Sequence, residues 1–183
     1  MRVFLNPGHH PGLDPGAVNN AYGVTEAEIA RSVGKLVEKY LLAAGCEVRS
    51  VQSDNLNGEN SAYTNVCASA NNWPADIFVS LHCNSANPAA KGTEVLVYSK
   101  WTPADTLANR ILYQITESLG TVCRGVKERP RLVVLNSTYM PAVLVEMGFI
   151  SNDDDCQMLR HQQDDLARAI ARGITDYIRE RGE

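Results

Sequence analysis

No apolar run in the 183-residue chain approaches the roughly 18 residues of a membrane span, and Met1–Asn6 meets Pro7 and Gly8 too early to form a signal-peptide core. The expectation is a chain made in the cytoplasm, with no transmembrane segment and no visible signal peptide. Basic runs are missing as well. The 17 Lys and Arg against 21 Asp and Glu leave a formal charge of −4, so the phosphate-neutralising surface that nucleic-acid binding needs is not there. Nucleic acid is not an expected partner. There is no CxxC pair: Cys46, Cys67, Cys83, Cys123 and Cys156 are odd in number and scattered, which argues against both a disulfide framework and a cysteine zinc site. Free thiols are expected. With no internal repeat, linker or low-complexity segment, the length predicts a single domain spanning residues 1–183.

The chain does have enough apolar residues, 44%, to bury a sizeable core, with 21% charged residues for its surface. Apolar runs alternate with helical periods from end to end, which predicts an α/β domain on a mostly parallel sheet. Strands are expected at Arg2–Asn6, Glu47–Gln52, Asp76–His82, Thr93–Tyr98, Arg131–Leu135 and Ala142–Met147. The DIFVSLH run at Asp76–His82 is continuous enough to be covered on both faces. Helices are expected from Thr25, where Thr25 and Glu28 have capping-box spacing, to Gly45, and from Thr102 to Gly120 behind a proline at the first helical position. A weak pattern predicts a helix at Ser61–Asn72, and Leu166, Ile170, Ile174, Tyr177 and Ile178 on one side predict a last helix over roughly Leu159–Arg179.

Ligands of parallel sheets bind beyond the carboxyl ends of the strands. His9 follows the first strand, His82 ends the DIFVSLH strand and Glu146 ends the AVLVEM strand, while Glu26 opens the helix that returns from the first strand. All four are expected on one edge. Two imidazoles and a carboxylate suit zinc, which in catalytic sites takes three protein ligands and leaves one position open. Each residue also has a plainer role. His9 or His10 can be a surface turn residue, His82 a core group bonded to a carbonyl, and Glu26 a complement to the helix N-terminus. Glu146 is harder to explain so, because its apolar flanks predict burial, where an unpaired carboxylate is costly. Asn84 is a candidate to orient a substrate amide, against the commoner Asx turn. Trp73 and Trp101 are sugar-stacking or packing candidates, and His161 reads as a solvated helix residue. Cys83 points away from His82 if the strand continues, which disfavours a Cys/His nucleophile pair.

These motifs resemble the zinc-dependent N-acetylmuramoyl-L-alanine amidases of bacterial cell-wall hydrolases and phage endolysins, the amidase type 3 family. The resemblance runs through Asn6-Pro-Gly-His9, Glu26, Ala75–Ser85 with His82 and Asn84, and Pro141–Asn152 with Glu146. His10 stands where the family usually has glycine, and the arginine common before the Ala-Asn pair has no counterpart in Thr64–Asn71. The resemblance implies a six-stranded, mostly parallel sheet with helices on both faces. It also implies His9, Glu26 and His82 as ligands of one Zn2+, Glu146 as the catalytic glutamate, and peptidoglycan or a muropeptide as substrate at the bacterial cell wall. A monomer without a separate wall-binding domain is expected. Two alternatives share the same residues: an inactive, zinc-stabilised wall-binding module, and a zinc peptidase acting on stem peptides.

Overall fold

A computed structural model describes residues 1–182. Its frame is a six-stranded sheet of β1 (Arg2–Pro7), β4 (Glu47–Ser50), β5 (Ile77–Asn84), β6 (Thr93–Val97), β7 (Cys123–Glu128) and β8 (Ala142–Phe149), in the order β4-β1-β5-β8-β6-β7. β4, β1, β5 and β8 run parallel; β6 runs antiparallel to β8, and β7 follows β6 in parallel. A two-stranded hairpin of β2 (Val18–Asn19) and β3 (Val24–Thr25) interrupts the segment after β1.

Strand alternation divides the sheet into two faces. Val3, Leu5, Val79, Leu81, Val95, Val143 and Val145 lie in the larger core, with α1 (Glu26–Ala43), α3 (Pro103–Leu119) and α6 (Gln163–Glu180). Phe4, Phe78, Leu96 and Leu144 enter a smaller core under α2 (Val66–Asn72) and α4 (Val133–Asn136). A seven-residue and a four-residue helix cover far less sheet than the three long ones. The second face is therefore thinly roofed, and its strand positions include Ser80, His82 and Glu146.

Helix boundaries follow the capping residues. Thr25 Oγ1 accepts from Glu28 N, and Thr102 Oγ1 accepts from Asp105 N with Pro103 at the first turn and Gly120 closing α3 in the left-handed region. Four expectations change. Residues 131–135 form no strand: Val134 and Leu135 pack into the smaller core from the short α4, and the strand of that region is β7. A short apolar run carries no clear period, whereas β7 is a mostly solvated edge strand made by its pairing with β6. The final helix is two: α5 (Asp153–His161), capped by Asn152, ends at Gln162 before α6 starts. Helix α2 starts only at Val66, where Asn65 Oδ1 accepts from Ala68 N. The hairpin β2-β3 lies where a loop was expected. No helix among the described residues is long and apolar enough to cross a membrane. The five cysteines are free, with Cys123 alone exposed.

Candidate active site

The carboxyl ends of β1, β5 and β8 meet the N-terminus of α1 at one edge. His9, just past β1, adopts φ 59°, a left-handed conformation that turns the chain sharply after the strand. Its Nε2 lies 3.2 Å from Glu26 Oε1, and its Nδ1 lies 2.6 Å from Asp14 Oδ2. His82 Nδ1 is 2.8 Å from the same Glu26 oxygen, and Cys83 N donates to that oxygen at 3.0 Å. The other Glu26 oxygen accepts from Ala17 N at 2.9 Å. One ligand atom from each of His9, Glu26 and His82 lies within 4.8 Å of the other two.

Two glycines leave room for this convergence. A Cβ on Gly8 would stand 2.3 Å from the His82 ring; one on Gly16 would meet Glu26 Oε2 and His9 at 2.6 Å, and Gly16 also has φ +65°. His10 turns its ring towards Tyr63, at 5.3 Å between centroids, and not to the triad.

Glu146 pairs in register with His82 on β5 and with Glu94 on β6, so the three side chains share one row across the thinly roofed face. Glu146 Oε2 is buried and has no hydrogen-bond partner among the described residues. Glu94 is buried but well paired: Oε2 accepts from Lys127 Nζ at 2.5 Å and Arg124 Nε at 2.8 Å, and Oε1 from Asn84 Nδ2 at 3.3 Å. Asn84 Oδ1 also accepts from Ser85 N, a local turn contact.

Proton affinities follow from these contacts. The hydrogen bond to Glu26 raises His9 to about 9 against the opposing effect of burial, and Asp14 adds to the rise. Burial opposes ionisation of Glu26, but the bonds from His82 and His9 outweigh it and hold that carboxyl well below the usual range. In Glu146 burial acts first and the charges of Glu26 and Glu94 add to it, lifting the carboxyl to about 8. Glu94 is held low despite its burial by Lys127 and Arg124.

The structure thus brings His9, Glu26, His82 and Glu146 to one edge, with Asn84 at its rim through Glu94. Sequence reasoning missed Asp14 and Glu94. Asp14 returns to His9 through the His10–Asp14 bridge, and the only sequence signal for that is a Pro/Gly-rich turn. Trp73 is a packing residue, tilted on Phe4 at 6.4 Å with the Arg49 guanidinium over its ring. Trp101 is 94% exposed, beyond the far end of β6, and His161 is exposed at the end of α5.

The donor set suits a transition metal of zinc type. Two imidazoles and a carboxylate are compact enough to share one ion, and a second carboxylate orients His9 from behind, as metal-bound histidines require. A carboxyl whose Oε2 is buried and without a partner among the described residues stands one strand away. This is the equipment of a metal-assisted hydrolase. The amidase type 3 family, described as N-acetylmuramoyl-L-alanine amidase, matches residues 3–176, and the chain belongs to that family. It is 38% identical over 181 residues to the uncharacterised protein YqiI of Bacillus subtilis, covering 96% of this chain and 84% of YqiI. It is 33% identical over 182 residues to the N-acetylmuramoyl-L-alanine amidase LytC of the same bacterium, covering 97% of this chain but 35% of LytC. The solved structure of the N-acetylmuramoyl-L-alanine amidase AmiC2 of Nostoc punctiforme matches with a TM-score of 0.83 at 30% identity, covering 98% of this chain and 97% of AmiC2.

Proposed function

We propose that this chain is a single catalytic domain that hydrolyses the amide between N-acetylmuramic acid and L-alanine in peptidoglycan, acting as a monomer at the bacterial cell wall. His9, Glu26 and His82 hold one zinc ion and Glu146 moves the proton. The observation that carries this reading is the convergence of those three donors beside the unpartnered Glu146 Oε2. Zinc in such a site supplies Lewis acidity towards the amide carbonyl and lowers the pKa of water towards about 7.

The protein's own groups do the rest. Asp14 accepts from His9 Nδ1, which fixes the ring and leaves Nε2 facing Glu26. Glu26 stays ionised and ties both imidazoles together. Glu146 loses much of the repulsion from Glu26 once a cation shares that charge, so Oε2 ionises near neutral pH, takes a proton from the attacking water and returns it to the leaving amine. Lys127 and Arg124 pair with Glu94 and offset part of the charge that it sets against that ionisation. Asn84 stands at the rim as a substrate contact, its Nδ2 held by a long 3.3 Å bond to Glu94 while its Oδ1 accepts from Ser85 N.

The test is mass spectrometry of purified peptidoglycan incubated with zinc-loaded protein and with a chelator-treated control. Stem peptides with a free L-alanine amino terminus are expected in the zinc sample alone. Intact glycopeptide links with retained wall binding would replace this reading by the inactive module, and shortened peptides still joined to sugar would replace it by the peptidase.

A further inference from the structure

A cavity of about 420 Å3 is lined by His9 and His82 and by charged residues of both signs. The loop between β4 and α2 contributes Asp54 and Glu59, and the segment leading into α4 contributes Arg131, Leu132 and Val134. Both acids are already held. Asp54 Oδ2 accepts from Asn60 Nδ2 at 3.0 Å, while Glu59 Oε2 accepts from Asn57 N at 2.6 Å, a backbone bond that keeps the Glu59 carboxyl below its usual range.

Arg131 differs from every other charged residue of the lining. It is exposed and makes no hydrogen bond, ion pair or ring contact among the described residues. A guanidinium stays charged at any working pH and presents a planar fork that matches a carboxylate. Leu132 and Val134 beside it shield one side of such a contact from water, which strengthens it. Asp54 and Glu59 repel an anion, so Arg131 is the group of the lining that attracts one entering the cavity.

We propose that Arg131 is a specificity-determining residue that binds a free carboxylate on the stem-peptide residue following L-alanine, so that anionic stems are cleaved in preference to amidated ones. The inference rests on the amidase reading for the placement of the scissile amide beside His9 and His82. From there, the next residue of the peptide is the first to bring a carboxylate into the cavity.

The test uses N-acetylmuramyl-L-alanyl-D-glutamate and its diamide, which differ in charge but scarcely in shape. The zinc-loaded protein is expected to favour the acid by roughly ten- to a hundredfold in kcat/KM, as one charge-assisted hydrogen bond supplies, with the difference in KM and not in kcat. Arg131→Gln should raise the acid's KM to that of the diamide, and Arg131→Lys should restore part of the difference. Equal kcat/KM for the two compounds, or a preference that survives Arg131→Gln, overturns the proposal. If neither compound is cleaved, the peptidoglycan digest decides the amidase reading, and calorimetric binding to Glu146→Gln decides this proposal separately. Tighter binding of the acid that is lost on adding Arg131→Gln upholds it; equal binding overturns it.

Discussion

His9 sits between two carboxylates, and that setting keeps its proton up to about 9 while no cation competes for the ring. A metal bound by His9 must displace this proton, so zinc binding at pH 7.5 should release about one proton from it. Calorimetry of Glu146→Gln in buffers of different ionisation enthalpy measures this release without the proton that Glu146 gives up when zinc binds. The same shift fixes a stability trend for the metal-free protein. His9 is raised above its ordinary 6.5 and Glu146 is raised to about 8 above its ordinary 4.5; both folded-state values exceed the unfolded ones, so both contributions are complete at low pH and fade as pH rises through the folded values. Thermal melting of the chelated protein should therefore fall from pH 6 to pH 9, and zinc should flatten the trend. Two substitutions separate the roles at this scale. Glu146→Gln should keep zinc and the fold while lowering turnover by roughly a hundredfold or more, the usual contribution of a general acid-base group. Asp14→Asn should instead weaken zinc by about ten- to a hundredfold in a chelator competition, since it only orients His9. His9, Glu26, His82 and Glu146 were legible because each follows a strand or opens a helix. Glu94 was not, because it opens a strand: it reaches the same edge only since β6 runs backwards, and strand direction is not written in an apolar run.

Among the elements, the helices announced themselves through their caps and the edge pieces did not. Thr25 and Thr102 each accept a hydrogen bond from the backbone three residues on, and each predicted start lies within one residue of the observed one. Thr25→Ala and Thr102→Ala should each cost about 1 kcal/mol in urea unfolding. Thr25→Ala alone should also weaken zinc binding, because it loosens the turn that carries Glu26, whereas α3 starts at the opposite end of the sheet. Equal effects on zinc would show that cap strength does not reach the site. β7 and α4 were misread for one reason: neither is made by its own pattern. β7 exists through its ladder with β6, and α4 through the burial of Val134 and Leu135 under the second face. The break at Gln162 was hidden because α5 and α6 keep apolar positions in nearly continuous helical phase.

Across the whole molecule, buried Asp155 fastens pieces distant in sequence. Its Oδ2 accepts from Gly92 N and Phe149 N, both at 2.8 Å, which joins the approach to β6, the end of β8 and the first turn of α5. Asp155→Ala would leave two buried donors without partners and should cost at least about 2 kcal/mol in urea unfolding, with the edge that carries Glu94 and Glu146 loosened as well. The proposed ligand set has a topological side too. His9 and Glu26 are 17 positions apart and Glu26 and His82 are 56 apart, so one ion bound to all three would close two loops in a chain without a disulfide. Such an ion acts as a removable clasp: it restricts the unfolded chain as a covalent bridge does, and lets go when the ion leaves. The segment between His9 and Glu26 is already tied by His9 to Asp14 and by Ala17 N to Glu26, and a bound ion would fasten it further. Chymotrypsin should cut at Leu13 or Tyr22 faster after chelation and be slowed again when zinc is restored.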